Sequence, residues 1–149
     1  MNNKRSKTRA SPQSEQTVIV VCRGGDCGNR RKHADLDHAQ QLAAIRAETA
    51  GRATVVVSKC LDACSHSNVI VAIPDLDNQR LGAQPVWLGD VNNLDVTADL
   101  IEWSQSSECW TVRPPALIEI HQFTPTRQSR NELEDPGSFP GFPLAKSKR

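Results

Sequence analysis

Four of the five cysteines in this chain form two close pairs, and each pair follows an apolar run of strand length. The pairs are Cys22 with Cys27 and Cys60 with Cys64. The run TVIVV at 17–21 leads into the first pair, and the run ATVVVS at 53–58 leads into the second. Two loops that deliver four thiolates to one place provide what a tetrahedral metal ion or a two-iron cluster requires. The rest of the chain must then bring the ends of these two strands together.

Apolar and β-branched runs predict four strands, and apolar residues at helical spacing predict two helices. The expected strands are Thr17–Val21, Ala53–Ser58, Val69–Ile73 and Val86–Leu88, and the expected helices are about Asp35–Thr49 and Val91–Ser104. The order is βαβ followed by ββα. A right-handed crossover makes the first two strands parallel, and a hairpin adds antiparallel partners. We therefore expect an α/β fold, a thioredoxin-like sandwich in which Ala53–Ser58 is a central strand.

The same patterns predict which positions are buried and where helices begin and turns lie. The expected buried residues are Ala39, Leu42, Ala43 and Ile45 in the first helix and Leu94, Ala98, Ile101 and Trp103 in the second. Asn92 or Asn93 is the expected N-cap of the second helix, because an asparagine side chain can accept from a backbone N–H of the first turn. The segment Asp75–Gln84 is expected to be a polar turn.

Three regions are expected along the chain: a disordered tail at 1–16, one domain at 17–104 and a proline-rich extension at 105–149. The tail lacks aromatic and β-branched residues until Thr17, except for Thr8, and the extension holds six of the nine prolines. Within the extension, Ala116–Phe123 is expected to form a short helix with Leu117, Ile120 and Phe123 facing the core. Beyond Thr124 we expect disorder, so that the extension is partly disordered.

Composition and charge exclude some functions. No apolar run approaches the roughly 18 residues of a membrane span, and the basic N-terminus has no apolar segment typical of a secretory signal, so we expect a cytoplasmic protein without membrane contact. Residues 17–104 carry eight Lys and Arg against eleven Asp and Glu, a net charge of −3, whereas residues 1–16 carry +3. A basic tail on an acidic domain is more often a solubility feature than a nucleic-acid site, so nucleic acid is not the expected partner.

The cysteine pattern points to metal or redox chemistry. In a cytoplasmic chain, closely paired cysteines favour this chemistry over a disulfide framework, and Cys109 stands alone as a small hydrophobic residue. Three glycines in the first loop, Gly24, Gly25 and Gly28, permit a tight wrap with backbone N–H groups directed at sulfur. The basic run at 30–33 either offsets the charge of a bound cluster, meets an acidic partner or is a solvated helix start.

The cysteine spacing is similar to that of the thioredoxin-like [2Fe-2S] ferredoxin family. The pattern is cysteine, four residues, cysteine, about three dozen residues, cysteine, three residues, cysteine. It also marks the small thioredoxin-like subunit of respiratory complex I and of related hydrogenases. Further segments that resemble this family are CLDACSHSNVIVAIP at 60–74, VWLGDV at 86–91 and KHADLDHA at 32–39. The resemblance covers roughly residues 17–104.

The resemblance implies a single [2Fe-2S] cluster bound by Cys22, Cys27, Cys60 and Cys64. It implies an electron carrier rather than an enzyme, with an unidentified reductase or oxidoreductase as its redox partner protein. The complex I subunit has an additional N-terminal helical region that this chain lacks, so the role in the large complex is not carried over. An exposed edge strand would allow a homodimer.

Other sites remain open from the residues alone. The main alternative is a small structural or interaction module in which the same four cysteines bind zinc, although zinc ligands usually sit two residues apart on compact knuckles. A dithiol oxidoreductase is less favoured because no C-x-x-C motif opens the first helix. The order Cys64-Ser65-His66 resembles half of a Rieske ligand set, but the second half is missing, so His66 is expected to be an ordinary loop residue.

Overall fold

The computed structural model describes residues 16–106 and 108–134. Within these residues the chain is a mixed α/β protein with four strands, five α-helices and one short 3-10 helix. The strands are β1 (Thr17–Cys22), β2 (Ala53–Ser58), β3 (Ile70–Ile73) and β4 (Val86–Leu88). The helices are α1 (His38–Glu48), α2 (Leu76–Arg80), α3 (Leu94–Gln105), α4 (Ala116–His121) and α5 (Arg127–Glu134). The 3-10 helix is Cys64–His66. All four expected strands and both expected helices are therefore confirmed, with ends shifted by a few residues.

The strands form one mixed sheet in the order β2-β1-β3-β4. β1 and β2 are parallel, and Cys22 at the end of β1 lies opposite Ser58 at the end of β2. β3 runs antiparallel to β1, and β4 runs antiparallel to β3. Because β1 and β2 run in the same direction side by side, the two loops that follow them leave from the same edge of the sheet.

The two faces of the sheet each bury an apolar layer. Ile19 and Val21 of β1 pack with Ile45 of α1 and Leu100 of α3 on one face. Val18, Val20 and Cys22 point to the other face, where they pack with apolar residues from β3, β4, the cysteine loops and α5. This alternation follows from the two-residue period of a strand. It places the first cysteine in a layer that helices α1 and α3 do not cover.

The prediction that Ala53–Ser58 is a central strand was wrong. The β2 strand lies at the edge of the sheet, beside β1 alone, and Val57 is 38% exposed. The β-branched composition of this strand suits any pleated surface, so composition alone does not separate a central strand from an edge strand.

Helices α1 and α3 form where expected, but their buried faces differ from the prediction. Ile45, Ile101 and Trp103 are buried, whereas Ala39, Ala43, Leu94 and Ala98 are exposed. The face of α1 is rotated because the polar residues His38 and Gln41 point inward, and Gln41 donates to the Val91 carbonyl and to the Thr97 hydroxyl. Asn93 is the N-cap of α3 and accepts from the Val96 N–H, as one of the two expected caps.

The polar segment after β3 was expected to be a turn but contains helix α2 (Leu76–Arg80). The side chain of Asp75 accepts from the Asn78 N–H and caps this helix. An aspartate followed by a polar run of this length is a valid helix start, and the absence of apolar spacing concealed it.

The C-terminal extension is more ordered than expected. Helix α4 is confirmed, but Ile118 rather than Ile120 faces the core, and Ile120 is 74% exposed. The prediction of disorder beyond Thr124 was wrong for α5 (Arg127–Glu134), in which Ser129 and Leu133 are buried. The expected disorder of 1–15 and of 135–149 falls outside the described residues. No helix in the described part of the chain is long and apolar enough to cross a membrane.

Candidate metal centre

The fold brings all four paired cysteines to the end of the sheet at which β1 and β2 terminate. We define the first cysteine loop as residues 22–33, after β1, and the second cysteine loop as residues 59–66, after β2. The sulfur of Cys22 lies 3.5 Å from the carbonyl oxygen of Lys59, so the loops touch at their first residues. None of the five cysteines is in a disulfide.

The sulfurs are arranged as two pairs. The Sγ atoms of Cys60 and Cys64 are 3.6 Å apart, close to the roughly 3.8 Å that separates two thiolates on one tetrahedral metal at about 2.3 Å from each sulfur. Cys22 and Cys27 are near enough to shift each other's pKa. Charge interactions also connect the two pairs, because Cys64 raises the pKa of Cys27 and Cys22 raises the pKa of Cys60. In the described ranges no three His, Cys, Asp or Glu side chains converge as the ligands of one metal ion.

Glycines let the first cysteine loop lie directly against the second. A Cβ on Gly24 would collide with the backbone N of Cys60. A Cβ on Gly25 would lie 2.6 Å from the Cys64 sulfur and 3.1 Å from the Cys60 sulfur, and Gly25 has a φ of +59°. The expected tight wrap is thus present, and Gly25 stands where any side chain would fill the space beside two sulfurs.

Protonation differs within the first pair. The interaction with Cys27 lowers the pKa of Cys22 to about 6, against the opposing effect of burial. The same interaction, together with burial, raises the pKa of Cys27. Within this pair the negative charge is therefore favoured on Cys22. A bound cation would favour deprotonation of both sulfurs because it compensates their charge.

Burial also raises the pKa of Cys60, although the Asp62 N–H donates to its sulfur at 3.3 Å. A second backbone donor lies in the first pair, where the Val69 N–H donates to the Cys27 sulfur at 3.3 Å. Each cysteine pair therefore contains at least one sulfur that accepts a backbone hydrogen bond. Such donors stabilise thiolates and adjust the reduction potential of a bound metal group.

A buried asparagine fastens the first cysteine loop to the sheet. Asn68 is fully buried, and its Oδ1 accepts from the Gly28 N–H at 2.6 Å. Its side-chain nitrogen donates to Asn92 Oδ1 at 2.7 Å and lies 3.1 Å from His38 Nε2. Asn68 directly precedes Val69, the donor to Cys27, so the first cysteine loop is held by two consecutive residues. Sequence reasoning missed Asn68, because a lone asparagine before a strand carries no pattern.

Helix α5 fastens the second cysteine loop. The Ser129 hydroxyl donates to the Asp62 carbonyl at 3.0 Å, and Leu133 is buried in the same apolar cluster as Cys22, Cys27, Leu61 and Ala63. This contact was also missed. The available signal was Thr126 followed by Ser129 and Leu133, since Thr126 Oγ1 accepts from the Ser129 N–H and the two buried residues are four apart.

The remaining candidate residues have ordinary environments. The His66 ring stacks on Phe123 with centroids 3.9 Å apart. Lys32 pairs with Asp26 at 3.0 Å and donates to the Cys64 carbonyl, and the basic run precedes α1 rather than starting it. Cys109 is buried near the start of β1, the opposite end from Cys22, and burial raises its pKa to about 11. It is therefore placed apart from the four paired cysteines.

A groove between two helices lies away from the cysteines. It has a volume of about 500 Å³ between α1 and α3 and is lined by residues such as Ala44, Leu94 and Glu102. Its lining contains no cysteine or histidine. Within the described residues, the four paired thiols thus lie together in the two cysteine loops, and not in this groove. Comparisons of the chain with protein-family models, with curated proteins and with solved structures found no match.

Proposed function

We propose that this chain is a one-electron carrier that binds a single [2Fe-2S] cluster through Cys22, Cys27, Cys60 and Cys64. The observation that carries the proposal is the meeting of two cysteine pairs at the ends of adjacent parallel strands. The strand order β2-β1-β3-β4, with one parallel and two antiparallel contacts, supports assignment of the domain to the thioredoxin-like arrangement. The sequence resemblance to the thioredoxin-like ferredoxins supports the same assignment independently.

The donor set fits such a cluster. Four cysteine sulfurs are the ligands that [2Fe-2S] groups take, two for each iron. The 3.6 Å spacing of Cys60 and Cys64 suits two ligands on one metal, and Gly25 leaves the space beside these sulfurs free of a side chain. A zinc site would take the four sulfurs as one tetrahedron, whereas this chain offers them as two pairs.

The bound cluster would supply reversible uptake and release of one electron. The residues of the chain would set the conditions for that exchange. The backbone N–H groups of Asp62 and Val69 would stabilise the thiolate charge, and the buried first pair would keep water from one side of the group. No general base or substrate pocket is needed for this activity, so we propose a carrier and not an enzyme.

Metal and sulfide analysis of protein purified without oxygen tests the proposal. We expect a red-brown protein with iron and acid-labile sulfide in equal amounts, about two of each per chain. Cys60→Ser should abolish or severely reduce the visible absorption. The matched control Cys109→Ser should keep it, because Cys109 lies at the other end of β1. A colourless protein with one zinc per chain would support the zinc module instead.

A further inference from the structure

The four candidate ligands are not equally buried. Cys22 and Cys27 are 1% and 4% exposed, whereas Cys60 and Cys64 are partly exposed. The first pair is covered by apolar residues that include Leu61, Val69 and Leu133. Among the residues that the structure describes, solvent therefore reaches the sulfurs from the side of the second pair.

The surface around the exposed pair is unusually basic for this domain. Of the eight Lys and Arg in residues 17–104, five lie in the two cysteine loops: Arg23, Arg30, Arg31, Lys32 and Lys59. Of the eleven Asp and Glu in the same range, only Asp26 and Asp62 lie there. The two cysteine loops carry +3 on a domain whose net charge is −3, and an oxidised cluster with its four thiolates, about −2, would leave this end positive. The Arg23 guanidinium is hydrogen-bonded to buried Gln41, so the exposed cations are Arg30, Arg31, Lys32 and Lys59.

Two of these cations lie next to the exposed pair. Lys59 directly precedes Cys60 and is exposed, and Lys32 Nζ lies 3.3 Å from the carbonyl oxygen of Cys64. The Asn29 side chain accepts from the backbone N–H groups of Arg31 and Lys32, which fixes the turn that carries them. Lys32 and Lys59 thus lie beside the exposed pair, and Arg31 shares the constrained turn of Lys32.

We propose that this basic face, formed by Lys32 and Lys59 beside Cys60 and Cys64 together with the exposed Arg30 and Arg31 on the turn that carries Lys32, is the docking surface for an acidic protein that exchanges electrons with this chain. The inference rests on the proposed function and adds the place and the charge of the partner. Complementary charge accelerates encounter and orients two proteins whose contact area is small, as in transient electron-transfer pairs. The exposed sulfur pair would then face the partner, and the buried pair would face the core.

Binding of a fluorescein-labelled octaglutamate peptide, followed by fluorescence anisotropy, tests the surface without relying on electron transfer. We expect binding that weakens as the salt concentration rises from about 20 mM to about 300 mM, because screening shortens the reach of surface charges. The double variant Arg31→Glu with Lys59→Glu should weaken it on the order of tenfold. Arg52→Glu is the control and is compared with Lys59→Glu alone, which changes the net charge by the same amount. Arg52 is exposed before β2, at the end opposite Cys60, and its variant should bind as wild type does.

A kinetic arm tests whether electrons pass through the same face. The reduced protein is mixed with a small anionic oxidant such as ferricyanide and, separately, with a cationic cobalt(III) complex. At low salt the double variant should react several-fold more slowly with the anion and faster with the cation, while Arg52→Glu matches wild type.

Three outcomes would overturn the proposal: equal effects of the double variant and of Arg52→Glu, no effect of either, or preferential binding of a single-stranded oligonucleotide of the same charge as the peptide. The last outcome would make the face a nucleic-acid site. A protein that lacks iron and sulfide would instead contradict the proposed function, whatever the peptide assay shows.

Discussion

At the scale of single residues, Gly25 separates a conformational requirement from a spatial one. Gly25 and Gly82 both have positive φ, but only Gly25 would place a Cβ against sulfur, and a Cβ on Gly82 meets nothing within 4 Å. A left-handed conformation costs a non-glycine residue roughly 1–2 kcal/mol. We expect Gly82→Ala to lose only that stability and to keep full iron content. Gly25→Ala should lose iron and visible absorption in addition. Equal iron content in the two variants would show that the space beside the Cys60 and Cys64 sulfurs is not needed for cluster binding.

Asn68 offers a second residue-scale prediction. Asn68→Ala would leave the Gly28 N–H without its buried acceptor and would remove one of two donors to Asn92 Oδ1, while the backbone N–H of residue 68 would still donate to it. Each unsatisfied buried group costs about 1–3 kcal/mol. We expect a lower melting temperature. We also expect a changed reduction potential of the proposed cluster, because Gly28 directly follows Cys27 and Val69 donates to the Cys27 sulfur. Asn131→Ala, at an exposed position of α5, should change neither quantity. If Asn68→Ala lowered only the melting temperature, Asn68 would be structural alone.

His38 gives the chain a pH dependence of known sign. Burial, together with the nearby Arg23 guanidinium, lowers the pKa of His38 in the folded chain. The unfolded chain keeps an ordinary pKa near about 6.5 and so binds the proton first as pH falls. The contribution of His38 to the free energy of unfolding is therefore complete above about pH 6.5 and is lost progressively below it.

Thermal unfolding followed by circular dichroism checks this sign. Between about pH 7.5 and about pH 5.5 the wild-type midpoint should fall more than that of His38→Gln, which cannot titrate in this range. The glutamine oxygen can still accept from the Asn68 side chain, which limits the loss of contacts. Parallel curves for the two proteins would show that His38 does not contribute.

At the scale of elements, α5 lies in a segment that was expected to be disordered, and it packs against the cysteine loops. Leu133 is 2% exposed and packs against the loops that carry the cysteines. Leu133→Ala should lower the free energy of unfolding by about 2–5 kcal/mol, because it removes buried methyl groups from the contact of α5 with the domain. We expect the proposed cluster to be lost faster to an iron chelator, because the Asp62 carbonyl loses its fixed partner on α5. The control Leu81→Ala, at a position 81% exposed, should leave the rate of loss unchanged.

At the scale of the whole molecule, the sequence predicts elements better than it predicts their neighbours. The strand positions followed from apolar runs, and the convergence of the two loops followed from the parallel βαβ crossover. The edge position of β2 and the inward turn of Gln41 did not, because both depend on long-range partners, as in the contact of Gln41 with Val91 and Thr97. The four candidate ligands were evident from spacing, but their supports, Asn68 and α5, are contacts across 40 or more residues.

The direction of β1 makes the two ends of the described chain unequal as attachment points. A domain fused before Thr17 would be joined about 20 Å from the cysteine loops, since the strand advances roughly 3.3 Å for each of its six residues. A domain fused directly after Glu134 would instead continue from α5, the helix whose Ser129 contacts the Asp62 carbonyl of the second cysteine loop. A domain joined directly before Thr17 should therefore leave the basic face open to a partner, whereas one joined directly after Glu134 would start from the helix that contacts the second cysteine loop.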